Sequence, residues 1–239
     1  MPAVRANSRK PATGYLERTH RPLNCLIFIL PLLTAYEVGS VFYRDRLLAP
    51  GHLAALLELF GATARILPAL LLVTVLLIWQ GLSRQKWRAD GDALAGMVVE
   101  SLLGVLPLIG LGAVMYRLFG RVALSAGTAA EAALAARILS GIGAGIYEEF
   151  LFRLAAIGLI LFIGVEVLRG PKRPMVVLAV AAASVLFSLY HFLGPDTFNW
   201  QRFVFRAIAG AYLALLYVGR GFGIAVGAHA CYNVIAELM

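Results

Sequence analysis

The sequence predicts an all-α protein, a polytopic transmembrane bundle of about seven to eight helices. Of its 239 residues, 61% are hydrophobic and only 14% are charged, and the mean hydropathy is +0.83. A typical soluble domain carries about 25% charged residues, so this chain is too apolar to face water. Apolar runs of roughly 20 residues, the length that spans a membrane, recur without the alternation that marks strands. We therefore expect an integral, multi-pass protein of a bacterial-type inner or plasma membrane.

Polar boundaries divide the chain into three parts. These are a basic N-terminal tail (residues 1–21), a set of N-terminal transmembrane helices (residues 22–129) and a C-terminal helical core (residues 130–239). Ile66–Ser83, a run of 18 residues without a charge, predicts the clearest single crossing. Leu53–Phe60 predicts a short helix at the membrane interface. A proline on each side of Lys172–Arg173 predicts a turn over Arg169–Pro174 between two helices.

The net charge of +8 comes from 21 lysine and arginine residues against 13 acidic ones. The basic residues lie in the tail and between the apolar runs, the distribution that the positive-inside rule produces. Their count favours a cytoplasmic N-terminus, whereas nucleic-acid binding is not expected because scattered loops cannot form a basic patch. Cys25 and Cys231 both lie in apolar segments, so they predict neither a disulfide framework nor a metal site.

The densest group of ionisable residues within an apolar run is Glu148, Glu149 and Arg153. A charge at bilayer depth costs about 2.5–3.5 kcal/mol on insertion scales, so such residues are the first candidates for function. Glu149 and Arg153 are spaced i, i+4, which predicts an ion pair on one face of a helix. Glu148 points about 100° away and lacks that partner, so burial favours its neutral form, as general acid–base chemistry requires. Two interfacial acids beside an arginine that reaches the headgroups explain this stretch equally well.

Two histidines and an amide extend the set. His191 follows the turn near Gly170 by 21 residues and Glu148 precedes it by 22, so an antiparallel hairpin returns both to one depth. His229 and Asn233, spaced i, i+4, present an imidazole and an amide on one face among small residues that permit close packing. Straight helices would not bring His229 level with Glu148, so a tilt or a kink is needed. A hydrogen-bonded core histidine and an interhelical amide contact are the alternatives.

Together these side chains resemble the motifs of the CPBP intramembrane proteases. That family includes the type II CAAX prenyl endopeptidases and the lysostaphin resistance protein A-like proteins. The motifs as they stand here are Glu148-Glu149-x-x-x-Arg153, Phe187-x-x-x-His191 and His229-x-x-x-Asn233. They occur in the family's order and at roughly its spacing, within residues 130–239. The resemblance implies a catalytic helical core there, and an intramembrane endopeptidase that acts on a membrane-associated peptide or protein.

The resemblance also implies a role for each residue. Glu148 is the general base that activates a water molecule for attack on a peptide carbonyl, and His191 helps to position that water. His229 and Asn233 face the developing oxyanion, where each donor contributes about 3–4 kcal/mol. The residues expected to hold these side chains in position, without contacting the substrate, are Glu149, Arg153 and Phe187.

The resemblance favours a metal-free mechanism without a cofactor. Glu148, His191 and His229 nevertheless match the ligand count of a catalytic zinc site. Zinc or another divalent metal is therefore the alternative cofactor, held by these three residues.

Two functions of other classes stay open. A non-catalytic membrane scaffold or immunity-type protein could share this fold and these motifs. A transporter could have a proton path lined by Glu37, Glu100, Glu148, His191 and Arg206, although the inverted repeat of many transporters is not visible. Since no motif surrounds Glu37, Glu100 and Arg206, we interpret these three residues as buried polar contacts or helix-end residues.

Overall fold

The computed structural model describes residues 14–43, 66–120, 134–193 and 197–238, which form eight helices and contain no strand. In chain order the helices are α1 (Tyr15–Thr19), α2 (Pro22–Phe42), α3 (Leu67–Leu82), α4 (Gly91–Phe119), α5 (Leu134–Val167), α6 (Lys172–Tyr190), α7 (Trp200–Arg220) and α8 (Phe222–Leu238). The prediction of an all-helical fold is confirmed. The predicted interfacial helix at Leu53–Phe60 lies outside the described residues.

Five of the described helices are long and apolar enough to cross a membrane, namely α2, α4, α5, α6 and α7. Two further apolar helices, α3 and α8, have 16 and 17 residues. The charge-free run Ile66–Ser83 forms α3, so the clearest predicted crossing yields a helix of about 24 Å, shorter than the hydrocarbon core. The described part of the chain is a helical membrane bundle, as predicted.

Local sequence determines where several helices begin. Asp90 caps α4 by accepting a hydrogen bond from a backbone N–H of its first turn (3.2 Å), and Asn199 caps α7 in the same way (3.0 Å). α6 begins at Lys172, so Pro174 lies in its first turn and not in a loop that runs over Arg169–Pro174. Proline is tolerated there because the first N–H groups of a helix have no partner within it.

α8 occupies the centre of the bundle. Every residue from Phe222 to Ala230 is buried, and the helix packs against α2, α4, α5 and α7. α7 turns directly into α8 at Gly221, whose φ of +103° is a conformation that other residues rarely adopt. A Cβ there would also lie 2.6 Å from the carbonyl oxygen of Thr19. The first half of α8 is therefore held inside the protein.

α5 is not a regular α-helix along its whole length. It is α-helical over Leu134–Glu149, becomes a π-helix over Phe150–Ile157, and after one α-helical turn is π-helical again over Phe162–Val167. Its 34 residues exceed by far the roughly 20 that cross a bilayer. The end of α5 and the start of α8 therefore need not lie at one level, which removes the depth conflict between Glu148 and His229.

The basic residues gather at one end of the bundle. This basic end comprises α1, the loop 83–90 and the turn at Gly221. Arg18 of α1 pairs with Asp90 at the start of α4 (Nη1–Oδ2 2.9 Å), and Nε2 of His20 lies 3.3 Å from the carbonyl oxygen of Val218. The basic loops thus share one end, as the positive-inside rule requires of loops on one side. A cytoplasmic location of this end stays a prediction.

We expect Gly145→Ala to destabilise the bundle, because α5 and α8 touch through their backbones at this point. A Cβ at Gly145 would lie 2.7 Å from the backbone nitrogen and 2.8 Å from the Cα of Ala230. Overpacking of this kind costs about 1–3 kcal/mol. The measurement is the thermal unfolding midpoint of the purified protein in detergent. Gly158→Ala is the control, since nothing lies within 4 Å of its added Cβ, and equal midpoints for the two variants would contradict this packing.

Candidate active site

A carboxylate lies between two imidazoles where α5, α6 and α8 meet. Oε1 of Glu148 lies 3.6 Å from Nε2 of His191, and its Oε2 lies 3.8 Å from Nε2 of His229. Both distances exceed a normal hydrogen bond of about 2.7–3.2 Å, so the three side chains converge without closing on one another. The side chains of Glu148 and His191 keep 12% and 23% of their surface exposed, against 7% for His229. The site is thus enclosed on the side of α8 and open beside Glu148 and His191.

The other ring nitrogen of each histidine is already engaged. Nδ1 of His191 lies 2.8 Å from the carbonyl oxygen of Phe187, one turn earlier on α6. Nδ1 of His229 lies 2.8 Å from Oε1 of Glu149. A carbonyl and a carboxylate accept hydrogen bonds, so each Nδ1 carries a proton and donates it. In each ring, Nε2 is therefore the nitrogen that faces Glu148.

Glu149 and Arg153 support His229 from the interior of the protein. Both side chains are 0% exposed, and Oε2 of Glu149 lies 3.0 Å from Nε of Arg153. The two groups are in charge contact without the alignment of a hydrogen bond, while Nη2 of Arg153 donates to the carbonyl oxygen of Gly210 (3.3 Å). One oxygen of Glu149 therefore faces Arg153, and the other accepts the Nδ1 proton of His229.

Phe187 fills the space between the charged groups. Its buried ring is nearly perpendicular to the rings of His191 and His229, at 5.0 and 5.8 Å between centroids. The guanidinium carbon of Arg153 lies 4.6 Å from the centre of the same ring. Gly210 provides the room, since a Cβ there would lie 2.9 Å from the Phe187 ring. The ring therefore restrains both imidazoles without using their hydrogen-bonding groups.

The amide of Asn233 is bound to the backbone of α5. Its Nδ2 donates to the carbonyl oxygen of Gly141 (3.0 Å), about two turns before Glu148. Gly141 permits this approach, since a Cβ there would lie 3.0 Å from that of Asn233. The other predicted site residues lie together around Glu148, and Asn233 lies beside them at the contact between α5 and α8.

A tyrosine and a glutamate form a polar contact next to the site that sequence reasoning did not connect with it. The hydroxyl of Tyr147 donates to Oε1 of Glu37 on α2 (2.6 Å), and its ring is nearly perpendicular to that of Tyr36, with centroids 5.6 Å apart. Because Tyr147 directly precedes Glu148, this contact ties α2 to the segment that carries the carboxylate. The one feature of the sequence that could have indicated this contact is the position of Glu37 within an apolar run.

Two more ionisable residues within the apolar runs have partners of their own. Glu100 accepts a hydrogen bond from Nε of Arg220 (2.6 Å) near the basic end. The guanidinium carbon of Arg206 lies 5.3 Å from the centre of the Phe192 ring. These contacts support the interpretation of Glu100 and Arg206 as polar contacts within the bundle.

Two imidazoles and a carboxylate are the ligand types of a catalytic zinc site, and zinc-binding histidines also donate through their other nitrogen. Across residues 14–43, 66–120, 134–193 and 197–238, however, no group of three or more histidine, cysteine, aspartate or glutamate side chains is arranged to hold a metal ion. The metal-free site and the zinc site held by Glu148, His191 and His229 both stay predictions.

Removing one member of the buried ion pair is expected to destabilise the protein strongly. Arg153→Met leaves Glu149 as an unpaired buried charge, and breaking such a pair costs about 3–5 kcal/mol. The pair Arg137–Glu237 joins α5 to α8 (Nε–Oε2 2.7 Å) but is partly exposed, so Arg137→Met is expected to cost at most about 1 kcal/mol. Thermal unfolding in detergent compares the two variants. A small loss of equal size in both would show that burial does not strengthen the first pair.

Comparison with known proteins agrees with the resemblance of the motifs. Residues 130–235 match the family model described as Type II CAAX prenyl endopeptidase Rce1-like. No curated protein and no solved structure matches the chain. The matched segment contains every motif residue from Glu148 to Asn233, and with the apolar helices it supports an integral, multi-pass membrane protein. Residues 130–235 are therefore similar to the Rce1-like proteins, in agreement with the resemblance of the motifs to the CPBP intramembrane proteases.

Proposed function

We propose that this chain is an intramembrane endopeptidase that hydrolyses a peptide bond of a membrane-associated protein or peptide with water activated by Glu148. The family match supports protease activity, since the matched family is one of endopeptidases. One observation carries the mechanism. The Glu148 carboxylate faces Nε2 of both His191 and His229, while Nδ1 of each ring is engaged with another acceptor.

Glu148 is the base in this proposal. A water molecule between its carboxylate and Nε2 of His191 gives a proton to the carboxylate as its oxygen attacks the carbonyl carbon of the substrate. The new C–O bond places negative charge on the former carbonyl oxygen, to which protonated Nε2 of His229 donates a hydrogen bond. The C–N bond then breaks, and the proton held by Glu148 passes to the leaving nitrogen. The products are a carboxylic acid, which ionises in water, and an amine.

The surroundings of the two adjacent glutamates support different roles. Glu148 keeps part of its surface exposed beside two imidazoles, so it can contact water and exchange a proton. Glu149 is fully buried between Arg153 and His229. Protonating Glu149 would break an ion pair inside the protein, which disfavours a role in proton transfer. We therefore assign Glu149 and Arg153 to positioning His229.

The exposure of the site supports a substrate that reaches it from the side of Glu148 and His191. The side chains of these two residues keep 12% and 23% of their surface exposed, against 7% for His229. His191 is also the C-terminal cap of α6, so its backbone lies at the end of that helix. The family description names prenyl endopeptidases, so a prenylated C-terminal peptide is the first substrate class to test.

Glu148→Gln is expected to lower peptide cleavage by at least about 100-fold, because an amide cannot accept the proton from water. The measurement is cleavage of a fluorogenic prenylated peptide in detergent, together with the unfolding midpoint, which is expected to stay near the wild-type value. Glu166→Gln, at an exposed glutamate of the same helix, is the control. Full activity of Glu148→Gln would refute the assignment. A wild-type protein that binds peptides and cuts none would favour the non-catalytic scaffold.

Asn233→Ala separates a packing role from the oxyanion role that the resemblance implies. The hydrogen bond to Gly141 supports packing, so we expect a loss of stability of about 1 kcal/mol and a kcat close to that of the wild-type protein. Unfolding midpoints and kcat of the folded fraction measure the two effects. A fall in kcat of about 100-fold or more at an unchanged midpoint would assign Asn233 to the oxyanion instead.

We propose the metal-free form of the reaction, with zinc as the alternative cofactor. Glu148, His191 and His229 would hold a zinc ion, which would supply Lewis-acid activation of the attacking water. The measurements are the metal content of the purified protein and its activity after treatment with a chelator. We expect far less than one zinc per chain and unchanged activity. Activity that is lost on chelation and restored by Zn²⁺ would overturn the metal-free mechanism.

A further inference from the structure

A second polar site lies at the basic end, and none of its lining residues belongs to the group around Glu148. A cavity of about 400 Å³ opens between the α1–α2 corner, the loop 83–90 and the first turn of α4. Its charged lining consists of Arg18, Arg21, Lys86, Arg88, Asp90 and Asp92. Four cations and two carboxylates give the lining a net charge of +2, which attracts anions.

Asp90 adds little negative potential to this cavity, because Arg18 neutralises it. Nη1 of Arg18 lies 3.1 and 2.9 Å from the two oxygens of Asp90, and this contact holds the pKa of that carboxyl below its usual range. Asp90 also caps α4. The remaining charges of the lining are those of Arg21, Lys86 and Arg88 against Asp92, which preserves an excess of two cations.

Buried amide side chains hold the walls of the cavity together. Asn24, with 0% exposure, donates to the carbonyl oxygen of Arg18 (2.8 Å) and accepts from the backbone N–H of Asp90 (3.2 Å). Gln80, also 0% exposed, accepts from the backbone of α2 (3.1 Å) and donates to the carbonyl oxygen of Lys86 (3.3 Å). These bonds join α1, α2 and the loop 83–90, so the cavity is formed before any ligand arrives.

The cavity lies where membrane-spanning helices meet water. The spans α2 and α4 both begin at its edge, and Trp87, 63% exposed, stands between Lys86 and Arg88. Exposed tryptophan is typical of the headgroup level of a membrane. Gly91 and Asp92 of the lining belong to the first turn of α4, whose N-terminus carries positive partial charge. Phosphate groups of lipids lie at this level.

We propose that this cavity binds the phosphate group of an anionic phospholipid headgroup. Lys86 and Arg88 are exposed and supply charge from the loop, while Arg21 and the start of α4 supply it from the helices. A phosphate oxygen accepts hydrogen bonds from all of these donors. The acyl chains lie along the apolar surfaces of α2 and α4, which begin at the cavity. This site is independent of the proposed protease mechanism.

The test records the unfolding midpoint of the purified full chain in detergent during titration with phosphatidylglycerol, phosphatidylcholine or inorganic phosphate. A ligand that binds the folded state raises this midpoint. Wild-type protein is compared with Lys86→Gln/Arg88→Gln and with Lys172→Gln/Arg173→Gln. The second variant is the matched control, since it removes two exposed cations that do not line the cavity.

We expect phosphatidylglycerol alone to raise the wild-type midpoint. Its apparent affinity is expected to fall about five-fold for each cavity cation removed and to stay within about two-fold of wild type in the control. Equal losses in both double variants would assign the effect to diffuse charge and overturn the site. Equal stabilisation by inorganic phosphate or by phosphatidylcholine would overturn the assignment to an anionic lipid. If the cavity variant is unstable without lipid, native mass spectrometry counts the phosphatidylglycerol molecules bound to its folded fraction. Fewer bound molecules than in the control variant would support the site, and equal numbers would overturn it.

Discussion

The contact between Arg153 and Glu149 is the constraint on which the rest of the site depends. A guanidinium with no exposure, in a bundle surrounded by lipid, needs a carboxylate beside it, and Glu149 provides one at 3.0 Å. The same carboxylate accepts the Nδ1 proton of His229 on a different helix. Since Nδ1 is thereby occupied, Nε2 of His229 is the nitrogen that faces Glu148. One buried charge pair thus orients the imidazole that is proposed to act on the substrate.

The helices bring these groups together through two irregular features. α8 is buried through its first nine residues, from Phe222 to Ala230. His229, one of these nine residues, therefore already lies in the interior of the protein. α5 changes to a π-helix immediately after Glu149. π-helical turns are rare and occur frequently at functional sites. Two neighbouring glutamates are thereby presented to different partners, Glu148 to the open site and Glu149 to the interior.

Sequence reasoning was most successful where contacts follow from spacing. The i, i+4 rule predicted the contact of Glu149 with Arg153, and counting residues from the turn near Gly170 predicted that Glu148 and His191 would meet. Both arguments need only helical geometry and one antiparallel hairpin. The same spacing rule grouped His229 with Asn233, yet the structure directs the two side chains to different partners on α5.

Contacts between helices that are distant in the chain could not be predicted in this way. The pairing of Arg18 with Asp90 joins residues 72 positions apart, and the bond from Tyr147 to Glu37 joins residues 110 apart. Such pairs depend on which helices are neighbours, and apolar periodicity does not encode this in a bundle that is apolar on all sides. The π-helical turns of α5 could not be predicted for a related reason. Their position depends on packing against other helices, and local helix propensity does not determine it.

If the buried pair of Glu149 and Arg153 orients His229, Nδ1 of that ring carries the proton that is donated to Glu149. ¹⁵N NMR of histidine-labelled protein in detergent measures this directly, with the His229 signals assigned from His229→Gln. We expect the Nδ1 signal of His229 to be that of a protonated nitrogen that donates to Glu149. A neutral His229 that carries its proton on Nε2 would contradict it, because Glu149 would then not be the acceptor that orients the ring.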